Sequence, residues 1–326
     1  MSAMRVLVTG GAGFIGSHIA ADLLDRSCDV RVLDNFATGR RSNLIPIGDE
    51  IELIEGDIQS YERVNKAVAG CDVVLHQAAL PSVPRSIQDP LTSNATNVIG
   101  TLNVLLAARD QGVRRVVCAS SSSVYGSSAG TAAKREDQPL LPISPYATGK
   151  LAGEGYARSF HEVYGLETVV LRYFNVFGPR QDPTSQYAAV IPNFIASLLK
   201  DQPPVIYGDG RQSRDFTYVA NVVDANMLAM TASGVAGRAY NVACGERVTL
   251  SRLVDELRDL LGSEADPVHA PARPGDVKHS LADLGRAQAE LGYAPSVLLR
   301  EGLERTIEHF RQEELPQRTG ELVGAR

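Results

Sequence analysis

The chain of 326 residues predicts an α/β fold, with a doubly wound parallel sheet over residues 1–174 and a smaller C-terminal α/β lobe over 175–312. Three observations predict it. Short apolar runs alternate with longer helix-patterned segments through the first half, the order that calls for a parallel sheet covered by helices on both faces. Runs such as 72-DVVLHQ-77 and 114-RRVVCAS-120 are apolar without alternation, as strands are when both faces are buried. After residue 174 Gly and Pro cluster, at 178-GPRQDP-183, 202-QPPVIYGDG-210 and 271-PARPG-275, between helical segments near 187–200, 219–231, 249–262 and 298–312. Segments of this second lobe can interleave with the first. The polar run 313–326 reads as a flexible tail.

The first strand, 4-MRVLVT-9, runs into 9-TGGAGFIGSH-18 and a helix over 14–26. Gly10, Gly13 and Gly16 let the chain turn sharply and let the backbone approach a pyrophosphate at the helix N-terminus. The strand before and the helix after are the context such a loop requires. The second strand, 30-VRVLD-34, ends in Asp34, 18 residues past Gly16. A carboxylate there accepts bonds from ribose hydroxyls and repels a 2′-phosphate, favouring NAD over NADP, although Arg40 and Arg41 follow closely. The third strand, 51–56, leads to Asp57, which either reaches an adenine amino group or caps a helix. Small residues at 77-QAAL-80, after the fourth strand, leave room for a dinucleotide.

A helix over 90–111 precedes the strand 114–120, which ends in 120-SSSSVYGSS-128. Ligands of doubly wound sheets sit beyond the carboxyl ends of the strands. Ser120 and Ser121 are therefore nearest a site, and Ser122 and Ser123 are read as turning away. In 144-SPYATGKLAGE-154, Tyr146 and Lys150 stand one helical turn apart on one face. A tyrosine, with an ordinary pKa of about 10, becomes a usable base when a neighbouring cation favours its phenolate. A sixth strand, 167–174, follows the helix 144–164.

Composition sets limits. A formal net charge of -6 with no basic block argues against a nucleic-acid partner. Cys28, Cys71, Cys118 and Cys244 form no CxxC pair, so neither a disulfide framework nor a metal site is expected. No leader and no run of about 20 apolar residues is seen. We expect a cytoplasmic protein without a membrane partner.

In combination, TGGAGFIGSH, DNFATG, GDI, HQAA, SSSSVYG, SPYATGK, RYFNVFGPRQDP, RDFTYV and RPGD resemble the extended short-chain dehydrogenase/reductase superfamily, and more narrowly its NAD-dependent nucleotide-sugar 4-epimerases. The resemblance covers residues 4–312 and implies a Rossmann domain, bound NAD, a UDP-sugar substrate and a homodimer formed by the helices near 90–111 and 144–164. Its spacing puts the catalytic hydroxyl four residues before Tyr125 and 25 before Tyr146, at Ser121. Tyr146 is then the base, and Lys150 its partner and a ribose ligand. The same pattern implies cofactor contacts at Gly10, Gly13, Phe14, Ile15, Gly16, Asp34, Asn35, Thr38 and Gly39. It continues them at Asp57, Ile58, Ala78, Ala79, Asn97, Tyr146, Lys150 and Tyr173. Asn175, Val190, Tyr207, Arg214, Arg273 and Asp276 match nucleotide-diphosphate positions, and Ser280 a gate whose small side chain accompanies acceptance of N-acetylated sugars.

Related dehydratases and decarboxylases carry an acidic residue just after the catalytic hydroxyl, where this chain has Ser122 and Ser123. The implied activity is 4-epimerisation of UDP-glucose/UDP-galactose, their N-acetyl forms, or both, through a 4-keto sugar. The alternatives are a UDP-glucuronate 4-epimerase, another nucleotide-sugar dehydratase or reductase, and a non-catalytic NAD-sensing regulator. The choice between UDP and dTDP stays open.

Overall fold

The computed structural model describes residues 3–126, 132–183, 189–272 and 277–321, with backbone alone beyond 312. Strand β1 (Arg5–Thr9) runs into helix α1 (Phe14–Asp25), which returns to β2 (Asp29–Asp34). β3 (Ile51–Glu55), α2 (Tyr61–Val68) and β4 (Val73–His76) repeat the pattern. α3 (Val83–Gln88), α4 (Pro90–Asn94), a π turn over Ala95–Gly100 and α5 (Thr101–Asp110) lead to β5 (Arg115–Ser121), and α6 (Pro145–Tyr164) leads to β6 (Glu167–Tyr173). The chain leaves the sheet through β7 (Val176–Phe177), α7 (Val190–Leu198), β8 (Val205–Tyr207), β9 (Ser213–Arg214) and β10 (Thr217–Tyr218). It returns with α8 (Val219–Thr231) and β11 (Arg238–Val242), then leaves again through β12 (Val248–Thr249), α9 (Leu250–Leu261), β13 (Val268–Ala270) and α10 (Leu299–Glu321).

Seven parallel strands form the main sheet, in the order β11-β6-β5-β4-β1-β2-β3. Alternation along β1 shows why both faces need helices. Val6 and Val8 pack with Ile19 and Leu23 of α1 and Val222 of α8. Leu7, between them, packs with Val64 and Val68 of α2 and Leu105 of α5 on the other face. Each such side chain contributes on the order of 1.5–3 kcal/mol when buried. The second lobe has its own core, with Phe194 and Leu198 of α7 against Leu253 and Leu257 of α9 and Leu303 of α10. Among the described residues no helix is long and apolar enough to cross a membrane.

After residue 174 part of the chain rejoins the main sheet: α8 lies against α1 and β11 extends the sheet beside β6. Tyr240 and Val242 of β11 are fully buried, and the main sheet is what buries them. Helix α10 carries the backbone on to Glu321.

Caps place the helix that matters most. Ser144 accepts a bond from the Ala147 amide, Pro145 occupies the first turn of α6, and Gly165 ends it at φ +71°, the left-handed conformation glycine adopts without strain. Glu154 of α6 binds Arg172 of β6 at 2.7 Å, and both side chains are under a tenth exposed. Breaking a buried pair by removing one partner costs about 3–5 kcal/mol. Arg172→Met is expected to lower unfolding free energy by about that amount in urea titrations, and adding Glu154→Leu to recover much of the loss.

Candidate active site

The strand order reverses at β1, with β2 on one side and β4 on the other. A crevice opens beyond the carboxyl ends of strands at such a point. It holds a cavity of about 360 Å³ lined by Gly10, Gly13, Phe14, Ile15 and Gly16. Gly10 has φ +70°, and a Cβ on it would lie 2.7 Å from Ala78. A Cβ on Gly16 would lie 2.1 Å from the Gly10 carbonyl oxygen. α1 can therefore start directly against the end of β1, and Gly13, its cap, brings no side-chain bond. The amides of the first turn are left to an anionic ligand.

Asp34 lines this cavity and accepts bonds from the Ala12 amide at 2.9 Å and the Phe36 amide at 2.8 Å. Burial pushes its carboxyl above the usual range, and those amides work in the opposite direction. Thr38 lines the cavity, and a Cβ on Gly39 would come within 3.0 Å of Asp34 Oδ1. The two nearby arginines are held by carboxylates: Arg40 by Asp182 at 2.5 Å and Arg41 by Glu55. Neither is set aside for a 2′-phosphate, which agrees with NAD.

Asn35 donates to Asp57 at 2.8 Å, and both line the cavity with Ile58, Ala78 and Ala79. Ser60, not Asp57, caps α2; the Asp57 carboxylate instead accepts from Asn35 and from the Gln59 amide at 2.8 Å. Tyr173 lines the cavity while its hydroxyl donates to Gln77 and accepts from Asn226. Asn97 sits behind the main cavity. Its side chain is buried and bonds both polar groups of Leu80, donating to the carbonyl at 3.0 Å and accepting from the amide at 2.8 Å. It lines a small cavity behind the main one and braces the loop at Leu80.

The serines separate cleanly. Ser120 points into the protein, donating to Glu154 at 2.5 Å. Ser121, the next residue, faces the other way, as strand alternation requires; it is hydrogen-bonded to Tyr146 and accepts from Ser123 Oγ at 2.8 Å. A tight turn over Ser122–Tyr125 keeps Ser122 and Ser123 along a cavity wall, so they do not turn away as the sequence reading had it. Burial pushes the Tyr146 phenol up, and its bond with Ser121 opposes this. Lys150 donates to the Ala119 carbonyl at 2.9 Å. Burial brings its ammonium down to about 8, with Cys118 and Glu154 acting against the shift. Ser121, Tyr146 and Lys150 thus form a cluster able to move a proton at an oxygen held between them.

Tyr146 also lines a larger cavity of about 780 Å³, shared with Ser121, Asn175, Arg214 and Ser280. A third cavity, about 300 Å³, adjoins it and is lined by Asn175, Val190, Tyr207 and Arg214. Tyr207 is 40% exposed, so it is not a core residue. Asp215 turns into the core, where it accepts from the amides of Cys244, Gly245 and Ala282, and burial pushes it up to about 6. Arg214 faces the cavities instead. Arg273 and Asp276 lie outside the described residues. The sequence reading missed Lys134, Gln181 and Asp182 on the larger cavity's wall. No local pattern marks Lys134; it arrives through pairing with residues 281–283.

Residues 6–243 match the NAD dependent epimerase/dehydratase family. The chain belongs to that family. The glycine cradle and Asp34 fit NAD, and NAD is its cofactor. Similar proteins include the UDP-glucose 4-epimerase of Mycolicibacterium smegmatis, 39% identical, with 94% of this chain and 99% of that one covered. Among solved structures, the UDP-N-acetylglucosamine 4-epimerase of Methanobrevibacter ruminantium, in complex with UDP-N-acetylmuramic acid, superimposes with a TM-score of 0.91 at 42% identity, covering 96% of this chain and 100% of the other. The Thermus thermophilus UDP-glucose 4-epimerase in complex with NAD gives 0.87 at 39% identity, covering 94% and 99%.

For this family member, Gly16→Ala forces α1 away from the Gly10 carbonyl. We expect NAD affinity, measured by calorimetry on the refilled enzyme, to fall about tenfold or more, the effect of roughly 1.4 kcal/mol.

Proposed function

We propose that the chain interconverts the C4 epimers of a UDP-hexose, a UDP-N-acetylhexosamine, or both. The observation that carries this reading is the cluster of Ser121, Tyr146 and Lys150, with Tyr146 lining both the cofactor cavity and the larger cavity. Beside it stand serines, Ser122 and Ser123, where elimination or decarboxylation assisted from this loop would call for a carboxylate. Oxidised NAD, when bound, supplies a reversible hydride acceptor. Tyr146, as phenolate favoured by the Lys150 ammonium, takes the proton of the C4 hydroxyl. Ser121 holds that oxygen as it passes from alcohol to ketone. Lys150, on the wall of the cofactor cavity, would also hold the cofactor's ribose. Tyr146 gives the proton back after the sugar has turned to present its other face.

Turning requires the nucleotide to stay fixed while the sugar is loosely held. Arg214 and Arg273 suit a diphosphate through charge-assisted bonds. Tyr207 can cover a uracil face, Asn175 and Val190 flank it, and Asp276 can hold a ribose. Small Ser280 at the wall of the roomier cavity supports acceptance of an N-acetyl group.

The reading extends to assembly. Leu91 of α4, Ile99 of the π turn, and Val163 and Tyr164 of α6 are exposed, and α4 packs on α6. A homodimer formed through these helices gives those side chains cover. The cytoplasm is the compartment we propose; Cys28, Cys71, Cys118 and Cys244 are all free thiols, in keeping with a reducing environment.

Incubation with UDP-glucose, UDP-galactose and their N-acetyl forms, followed by NMR, is expected to show inversion at C4 with no net keto or deoxy product. Tyr146→Phe should lower kcat by about 10²–10⁴ while UDP-sugar affinity holds; net formation of a dehydrated sugar would sink the proposal. The two serines should part company: Ser121→Ala lowers kcat, whereas Ser120→Ala lowers the melting temperature and leaves most of kcat.

A further inference from the structure

The larger cavity carries a charge that proton transfer at C4 does not use. Lys134 lies between β5 and α6 with its main chain pinned. Its amide donates to Leu281 at 2.8 Å, and its carbonyl accepts from the Asp283 amide at 2.9 Å and from Asn241 Nδ2 at 2.8 Å. The residue is 2% exposed and lines the cavity. Its ammonium donates to the Gly126 carbonyl at 3.0 Å, and among the described residues no carboxylate lies within ion-pair reach. An ammonium carries three donors. Apart from the Gly126 carbonyl, the Lys134 ammonium meets the face of the Tyr125 ring, 5.6 Å from the centroid; burying an ammonium with one acceptor is unfavourable, and burial holds its pKa below the ordinary lysine value.

A second group points the same way. Ser280 sits on the segment that pairs with Lys134. It is 6% exposed, and its Oγ finds no hydrogen-bond partner among the described residues. Ser122 and Ser123 share the wall. The cavity's charge balance leaves room for an anion beyond the diphosphate. Asp182 is the one carboxylate lining it among the described residues, and Arg40 already neutralises it.

Building on the 4-epimerase reading, we propose that Lys134 is a specificity-determining residue that receives a carboxylate on the sugar ring, so that the enzyme's substrate class extends to acidic UDP-sugars. A carboxylate only accepts hydrogen bonds, through two oxygens. It answers the remaining donors of Lys134 and the hydroxyls of Ser280, Ser122 and Ser123, and bonds to charged groups are the stronger kind. A neutral hexose leaves the ammonium with one carbonyl acceptor and the Tyr125 ring.

The test compares C4 inversion within matched pairs: UDP-glucuronate against UDP-glucose, and UDP-N-acetylglucosaminuronate against UDP-N-acetylglucosamine. The wild-type kcat/KM for the acidic member of a pair is expected to equal or exceed one tenth of that for the neutral member. In Lys134→Met this acidic-to-neutral ratio should fall tenfold or more. An unchanged ratio in the variant, with both activities intact or both reduced, would make Lys134 only a brace for the Gly126 carbonyl and overturn the proposal. Should the variant fail to fold, the wild-type ratio decides, and a preference for neutral sugars beyond tenfold overturns it. Inversion of neutral sugars alone leaves the 4-epimerase reading standing; inversion of none overturns both.

Discussion

The buried pair between Glu154 and Arg172 is the interaction on which the arrangement of this site turns. It ties α6 to β6, and through the Ser120 hydroxyl it ties both to β5. Once Ser120 is bound inward, the pleat leaves Ser121 nowhere to point but outward. Glu154 stands one turn beyond Lys150, which stands one turn beyond Tyr146, so the clamp that fixes the strand also fixes the rotation of the helix that carries Tyr146. Arg172 is further used by the Tyr125 hydroxyl, to which it donates at 2.8 Å, and Tyr125 donates in turn to Asn241 of β11 at 2.7 Å. A single polar seam therefore sets three strands and one helix in register beneath Ser121 and Tyr146.

What was legible in the sequence was what depends on near neighbours along the chain. The glycine loop, the Asp34 at a strand end and the Tyr146–Lys150 spacing each report a local geometry that the fold then uses unchanged. The choice between Ser120 and Ser121 was open on local grounds because it depends on Glu154, 34 residues away. The bonds between the Asn97 amide and Leu80, 17 residues away, are announced by no local pattern either. Ser122 and Ser123 were misjudged because a tight turn, rather than a continued strand, carries them along the cavity wall. Lys134 could not be found at all: the partner that positions it lies near residue 282.

The site also shows how an acidic protein with a net charge of -6 can host an anionic ligand. Its carboxylates near the cavities are occupied. Asp34 is wrapped by backbone amides, Asp182 is neutralised by Arg40, and Asp215 is turned inward onto three more amides. Positive groups meanwhile face inward from different elements, with Arg214 on β9, Lys150 on α6 and Lys134 between β5 and α6. The overall charge keeps the surface acidic, while the local field is set residue by residue.

The path of the chain has a consequence for descent. After β6 it leaves the main sheet, at α8 it comes back, and after β11 it leaves again. The second lobe is thus two separate stretches of gene flanking a piece of the first. Such a lobe cannot be gained, lost or traded between relatives by one crossover, since any cut that takes it whole also takes an outer strand of the sheet. New substrate preference has to arise in place, by substitution and by length changes in the loops that line the cavity, against a nucleotide-binding half that stays the same.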